Sequence, residues 1–300
     1  AGRGPPGWSL AVCFCVATLY LVSTPIGNLG DLSARAEAVL RSVDRILAED
    51  TRRTRPLAER VGAEARLVSL HQHNERGRVA SVMGWLDSGE NVALVSDAGT
   101  PLVSDPGESL VKRVADAGHD VVPIPGASAV LAALVGSGLP TERFAFLGFP
   151  DKKGGGRRAL LERVRTSNET VVLFESPQRT VRLLQDLMDA CGAQREVAVA
   201  RELTKIYEEF QRGTLVEVLA YYQENEPRGE VTFVVAPSGD EESEEVHAQL
   251  MDRGREVARD LLSEGVKPSE AAKDLAARLD LSRNDAYRIV QSLREDTEDV

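Results

Sequence analysis

The sequence predicts an α/β protein: two α/β domains, a five-stranded parallel sheet followed by a mixed sheet, and a small C-terminal helical module resembling a helix-turn-helix. Three observations carry this expectation. The first half repeats one theme, an apolar run, a loop and an amphipathic helix, which is the pattern of βαβ units. Gly136-Ser137-Gly138-Leu139-Pro140 interrupts that theme, and the order of strands and helices changes after it. Beyond Pro237 only helical periodicity remains.

Strands are expected at Leu19–Ser23, Arg45–Ala48, Arg66–Leu70, Val92–Ser96 and Val121–Ile124, with helices at 31–42, 54–61, 75–88 and 107–117. Ala127–Gly136 reads as a short helix rich in small residues. The second domain should place strands at Phe144–Gly148, Thr170–Phe174, Glu196–Arg201, Tyr207–Arg212 and Val231–Ala236, and helices at 157–166, 178–190 and 214–223. Helices are then expected at 246–264, 268–279 and 282–293, two of them opened by Lys267-Pro268-Ser269-Glu270 and Leu281-Ser282-Arg283-Asn284-Asp285. Domain limits follow: an extension over 1–17 expected to be disordered, domains over 18–138 and 139–237, an acidic linker over 238–245, the module over 246–294 and an acidic tail over 295–300.

The formal net charge is −11, but it is unevenly spread. Residues 238–300 hold 9 basic and 17 acidic side chains, so the first 237 residues carry only −3. Three cysteines without a C-x-x-C spacing argue against a disulfide framework or structural zinc and fit a reducing, cytoplasmic compartment. Residues 8–22 are nearly all apolar and follow Arg3, which imitates a signal peptide, yet the run flows into Ser23-Thr24-Pro25-Ile26-Gly27-Asn28 and its second half reads as a first core strand. No other segment is long enough to span a membrane.

The most informative stretch is Ser96-Asp97-Ala98-Gly99-Thr100-Pro101, continuing to Ser104-Asp105-Pro106-Gly107 between a strand and a helix. Such loops lie at the carboxyl edge of an open α/β sheet, where ligands bind. The other first-domain strands end in Ser23 to Asp31, in Glu49-Asp50-Thr51-Arg52-Arg53-Thr54, in His71-Gln72-His73-Asn74-Glu75 and in Pro123-Ile124-Pro125-Gly126-Ala127-Ser128-Ala129. A parallel sheet brings all these tips to one edge. No Gly-x-Gly-x-x-Gly or P-loop spacing is present, so pyrophosphate cradling is not indicated.

These motifs, with Phe174-Glu175-Ser176-Pro177-Gln178-Arg179, Ala200-Arg201-Glu202-Leu203-Thr204-Lys205 and Gly229-Glu230-Val231-Thr232-Phe233 following in order, resemble one family. The chain is similar to the bacterial small-subunit ribosomal RNA (cytidine-2′-O)-methyltransferases, in the tetrapyrrole-methylase-like class of S-adenosylmethionine enzymes. The resemblance covers about 19–236 densely, and 246–294 resembles that family's C-terminal helical module. Gly148-Phe149-Pro150-Asp151-Lys152-Lys153 departs from the family's longer turn there, and the N-terminal extension is a second departure. The resemblance implies S-adenosylmethionine held between the domains, by Pro25, Asp97, Thr100, Ser128 and Ala129 from the first and by Glu175, Ala200 and Glu230 from the second, largely through backbone. It also implies a homodimer, and the small ribosomal subunit with its 16S RNA as partner.

A ribose hydroxyl is a poor nucleophile and needs a base, or a cation beside the developing alkoxide. Asp50 and His73 are the candidate bases, Arg52 and Lys205 the candidate cations. Asp50 could instead pair with Arg52 or Arg53, and His73 could be a satisfied strand-end histidine. His71, His73 and Glu75 lack the further ligands that a metal site needs, so none is expected. RNA contact is expected from Arg53 and Arg55 at the second strand tip, and from Lys152, Lys153, Arg157 and Arg158, although the helix at 157–166 could be a solvated face. Arg283 and Arg288, flanking Tyr287, are the module's candidates. Two other readings stay open: a precorrin-type tetrapyrrole methyltransferase on the same fold, and a non-catalytic RNA-binding assembly factor.

Overall fold

The computed structural model describes residues 17–71, 74–263, 266–279, 281 and 283–298. The first domain alternates strand and helix: β1 (Thr18–Val22), α1 (Ala34–Ser42), β2 (Arg45–Ala48), α2 (Thr51–Val61), β3 (Arg66–Ser69), α3 (Glu75–Asp87), β4 (Val92–Val95), α4 (Glu108–Asp116), β5 (Asp120–Ile124) and α5 (Ala129–Ser137). Its sheet runs in the order β3-β2-β4-β1-β5, parallel throughout. Alternate strand residues face opposite layers. Ile46 and Ala48 join Leu40 and Val61 under α1 and α2, whereas Leu47 joins Leu86 and Leu110 under α3 and α4. Both faces of the sheet are covered, which explains the uninterrupted apolar reading of Val92–Val95.

The second domain comprises β6 (Phe144–Phe146), α6 (Gly155–Arg165), β7 (Thr170–Glu175), α7 (Thr180–Cys191), β8 (Glu196–Arg201), β9 (Glu209–Thr214), α8 (Leu215–Glu224) and β10 (Val231–Val235). Its sheet runs β6-β7-β10-β8-β9, with β6 parallel to β7 and the remaining pairs antiparallel. One face packs under α6, α7 and α8 through Val164, Leu183, Leu187 and Val218. The other face, with Val172, Ala198, Ala200 and Val234, packs on Val130, Ala133 and Leu134 of α5. Helix α5 is therefore the joint between the domains. Gly136 belongs there because a Cβ would lie 2.4 Å from the Phe210 ring.

The C-terminal module is α9 (Asp240–Ser263), α10 (Pro268–Leu279) and α11 (Arg283–Glu298), gathered around Ala258, Leu261, Ala271, Leu275, Ala286 and Ile289. Among the described residues no helix is long and apolar enough to cross a membrane. Residues 1–16, and so nearly all of the expected extension, lie outside the described residues.

Several expected boundaries move. The helix expected at 31–42 is a 3₁₀ turn at Leu29–Asp31 followed by α1, with Ser33 capping α1 by accepting the Ala36 N–H at 3.1 Å. Helix α2 starts at Thr51 rather than 54, because the Asp50 carboxylate caps it. The acidic linker over 238–245 is corrected: α9 begins at Asp240. The tail over 295–300 is likewise helical through Glu298.

Arg157 is corrected as an RNA contact. Its side chain is 6% exposed, its Nε donates to Asp186 Oδ2 at 2.6 Å, and its Nη1 donates to the Asp151 carbonyl at 3.0 Å. It ties the start of α6 to α7, whereas Lys152, Lys153 and Arg158 around it are exposed. Asp186 is partly exposed and keeps Arg182 nearby, so Arg157→Ala, which loses the tie between α6 and α7, should cost about 1–3 kcal/mol in chemical denaturation. Arg158→Ala should stay within about 0.5 kcal/mol of the parent. Equal losses for the two variants would contradict the structural role of Arg157.

Candidate active site at the strand tips

The carboxyl ends of β1, β4 and β5 are locked together beyond the regular ladders. Ser23 N–H donates to the Ile124 carbonyl at 3.2 Å. Thr24 N–H donates to the Gly99 carbonyl at 2.9 Å, and Gly99 N–H returns to the Thr24 carbonyl at 3.0 Å. The Thr24 hydroxyl donates to the Ser96 carbonyl at 3.1 Å, and the Thr100 hydroxyl to the Ala127 carbonyl at 3.2 Å. Gly99 has a φ of +85°, and a Cβ at Gly126 would lie 2.9 Å from that of Ser23. Small residues are what let these three loops touch.

The result is a cradle with a cavity on each side. The larger, about 650 Å³, is walled by Ser23, Thr100, Pro125, Gly126 and Ser128, with Phe146 of the second domain opposite. The smaller, about 160 Å³, is lined by Pro25, Asp97, Arg53, Thr54 and Pro56. Asp97 bridges the loops: Oδ1 accepts the Asp50 N–H at 3.1 Å and Oδ2 lies 3.4 Å from Arg53. Ser128 caps α5, its hydroxyl accepting the Leu131 N–H at 3.4 Å; Ala129, the first helical residue, packs in the interdomain core and lines neither cavity.

The donor residues expected from the resemblance are thus divided. Thr100 and Ser128 face the large cavity and Pro25 and Asp97 the small one, across the Thr24–Gly99 bridge. Glu175, Ala200 and Glu230 line neither. Glu175 is buried, with Oε1 accepting the Ser176 N–H at 2.7 Å and pairing with Arg179 at 2.5 Å; its buried Oε2 has no partner among the described residues. Ala200 sits in mid-sheet between Thr232 and Phe210, its methyl in the interdomain core. Glu230 is largely exposed and pairs with Lys205.

Lys205 belongs to the loop between β8 and β9 that rests on the β1 tip, since a Cβ at Gly27 would lie 2.5 Å from Lys205 Cγ. Its Nζ lies 2.9 Å from Glu202 Oε1 and 3.1 Å from Glu230 Oε2. Partial burial pulls its pKa down, but the two carboxylates outweigh that and hold it above the ordinary lysine value. The non-glycine residues with positive φ among those described, Leu102, Ser104, Glu202 and Thr204, all fall in the β4 loop or this β8–β9 loop. Such backbone is costly and persists where the surroundings over-determine it.

Asp50 is corrected as a general base. Its carboxylate accepts from Arg52 at Nε (3.0 Å) and Nη2 (2.7 Å) and from the Arg52 N–H (2.9 Å). The Arg52 side chain foremost, then that backbone bond, hold its pKa at about 2. A carboxylate so far below neutrality is a weak proton acceptor. The same pair occupies the Arg52 guanidinium, although its side chain is 89% exposed. His73 lies outside the described residues. The residue that sequence reasoning passed over is Glu49, immediately before Asp50. Partial burial of its carboxyl, then the nearby Asp105 and Asp97 carboxylates, push its pKa up. Burial also raises Asp105, with which Glu49 lines a small recess beside Ser96. The available signal was the acidic crowd at two adjacent strand tips.

Arg53, Arg55, Lys152, Lys153 and Arg158 are exposed, as is Arg288, which is 3.9 Å from Asp285. The Arg283 side chain lies outside the described residues. No group of three or more His, Cys, Asp or Glu side chains among the described residues is placed to hold a metal ion.

Fold and site together define a two-domain α/β protein with a cavity of small-molecule size where its strand tips meet a second, mixed sheet. The chain belongs to the tetrapyrrole (corrin/porphyrin) methylase family, whose model matches residues 18–219. It is 43% identical over 278 residues to ribosomal RNA small subunit methyltransferase I of Synechocystis sp., covering 93% of this chain and 99% of that protein. Its identity to the protein of the same name in Bacillus subtilis is 43% over 278 residues, covering 91% of this chain and 94% of that one. Among solved structures, cobalt precorrin-4 methyltransferase shares the fold at 16% identity, with a TM-score of 0.59 over 76% of this chain and 98% of that one. Uroporphyrin-III C-methyltransferase from Thermus thermophilus, complexed with S-adenosylhomocysteine, matches at 21% identity and a TM-score of 0.52 over 73% of this chain and 97% of that one.

Arg52→Ala should return the Asp50 carboxyl toward its ordinary value of 3.8, read by NMR titration. The folded value lies below the unfolded one, so this group's contribution to stability is present above that ordinary value. It is lost as pH falls through about 2. A carboxyl still at about 2 in the variant would assign the shift to the backbone N–H and Arg53 instead of the Arg52 side chain.

Proposed function

We propose that the protein methylates the 2′-hydroxyl of a cytidine ribose in the decoding centre of 16S ribosomal RNA, with S-adenosylmethionine as donor. It acts in the cytoplasm, as a homodimer, on the small ribosomal subunit. The observation that carries this reading is the pairing, on one sheet edge, of an apolar cavity with exposed arginines. The names of the close relatives supply the substrate class.

The residues present fit the donor. A cavity of about 650 Å³, mostly apolar with a few hydroxyls and loop backbone, is of the size and character that takes a nucleoside-sized ligand. Thr100, Gly126 and Ser128 would hold it, with Phe146 excluding water from the other side; Pro25 and Asp97 shape the adjoining pocket. When bound, the donor supplies an activated methyl group on a sulfonium centre. The protein's task is then to orient the ribose and manage its proton. Glu49, at the β2 tip in a recess with Ser96 and Asp105 and with its pKa raised above its ordinary value, takes the hydroxyl proton. Lys205, kept charged by Glu202 and Glu230, which take two of its three donors, has one N–H left to donate to the ribose oxygen as the alkoxide develops at the β1 tip. Arg53, Arg55, Lys152, Lys153 and Arg158 meet RNA phosphates, and Tyr287 with Arg288 on α11 extends that contact from the module.

The direct test supplies tritiated donor to small subunits lacking the modification, beside free 16S RNA, and identifies the product by nuclease digestion and mass spectrometry. 2′-O-methylcytidine is the expected product. A base-methylated nucleoside, transfer only to a precorrin, or no transfer at all would each overturn the reading.

Glu49→Gln should lower kcat by about 10²–10⁴ with donor affinity unchanged. In the parent, activity should rise with pH through the raised Glu49 pKa, since the ionised form is the acceptor, and the variant should lose that acid limb. A variant retaining full kcat and the same pH profile would remove Glu49 from the chemistry.

A further inference from the structure

A second cationic depression lies outside the cleft. It is a groove of about 450 Å³ along β3, the edge strand of the first sheet, and its walls include Arg45, Thr51, Arg66, Ser69, Arg78 and Trp85. Among the described residues no carboxylate lines it. The three arginines come from β2, β3 and α3, so three separate elements converge their charge on one groove.

The arginines are not equivalent. Arg45 is compensated by Glu90, with Nη2 donating to Oε1 at 3.1 Å, and its Cζ lies over the Trp85 ring, 4.1 Å from the centroid. Arg66 is exposed and Arg78 half-buried, and neither has an ion pair or side-chain hydrogen bond among the described residues. Elsewhere in this acidic chain many arginines are paired: Arg41 with Glu37, Arg165 with Glu162, Arg201 with Glu209 and Arg278 with Asp274. Two uncompensated guanidinium groups in a groove without acids make a site for an anion.

The groove also has a direction. Thr51 and Ser69 stand at the carboxyl ends of β2 and β3, on the edge that carries Glu49, Asp50 and the Asp97 loop. Arg66 opens β3 at the opposite end, about 10 Å away along the strand. An extended polyanion leaving the strand tips would therefore run past Arg78 and Arg66, and the Arg45–Trp85 pair gives a planar surface on which a base can stack.

We propose that this groove binds the sugar–phosphate backbone of a single-stranded RNA segment flanking the target nucleotide, with Arg66 and Arg78 each taking a phosphate. The proposal rests on the RNA substrate proposed above and adds a second, separate contact line to it. A guanidinium takes a phosphate with paired donors, and the Trp85 ring beside Arg45 suits the base that accompanies a phosphodiester and that an acidic peptide lacks.

The test uses the full chain with Arg66 and Arg78 replaced together by glutamine. Binding of single-stranded 16S fragments is titrated between ~50 and ~200 mM salt. Loss of two phosphate contacts should flatten the log–log salt slope by about 1.4, at roughly 0.7 per phosphate on a single strand. S-Adenosylhomocysteine affinity, measured by calorimetry, should not move. The lysine pair, which keeps the charge, should keep the parent slope. An unchanged slope in the glutamine pair, or a lysine pair as deficient as the glutamine pair, overturns the groove. Weakened binding to whole subunits with an unchanged slope on free RNA would assign the groove to an acidic protein surface and also overturn it. A parent protein with no affinity for 16S RNA would fail the proposed function itself, a result visible before any variant is made.

Discussion

The reciprocal pair of backbone hydrogen bonds between Thr24 and Gly99 is the constraint on which the site depends. β1 and β4 run parallel, yet their loops meet antiparallel just beyond the ladder. This reversal turns two strand ends into a ridge with a cavity on either side. It requires Gly99 at positive φ and close approach at Gly126, and it leaves the Thr24 and Thr100 hydroxyls donating to loop carbonyls. Buried loop backbone has to find partners, and here the three loops partner one another. The rigidity of the cradle is thus a consequence of backbone satisfaction.

Helix α5 sets the other half of the geometry. Its Val130, Ala133 and Leu134 pack on the second sheet, while Leu131 and Val135 on its other side are exposed. Ser128, its cap, lines the large cavity, so the residue that starts the joint also walls the site. Arg212, from the edge strand β9, donates through Nε to the Gly136 and Ser137 carbonyls at 3.2 and 3.0 Å, closing the helix's last turn from the second domain. Domain packing and cavity shape are therefore not separable: moving the second sheet would move Phe146 and uncap the end of α5 together.

What the sequence made legible is what local chemistry determines. The Asp97 loop is readable because Gly and Pro between an apolar strand and an amphipathic helix have few other uses. The convergence of five strand tips follows from parallel topology alone. What stayed hidden depends on partners distant in the chain. Arg157 looks like its neighbours Lys153 and Arg158 until Asp186, on the next helix, takes its charge. Lys205 reads as one cation in a polar loop, while its position over Gly27 arises only when the second domain closes on the first. Asp50 and Glu49 are adjacent carboxylates, and what separates them is three-dimensional. One caps a helix and chelates an arginine, and the other is crowded by carboxylates from the next strand's loop. Even the acidic run at 240–245 is ambiguous locally, since a solvated linker and a helix start share that composition.

Charge is distributed in a way that the net figure of −11 conceals. A macromolecular polyanion approaching this protein meets a local field, screened within roughly 10 Å at 0.1 M salt, not a total. Most of the excess acid sits beyond residue 237, in helices whose core is their own. Within the first domain, arginines that find carboxylates become structural, as Arg45 does with Glu90. Arg66 and Arg78, which have no ion pair among the described residues, lie on the edge where the sheet itself ends. An edge strand with free cations resists pairing with another strand. The same feature leaves a charged track that begins at the strand tips, so protection of the sheet edge and attraction of an anionic chain are served by the same side chains.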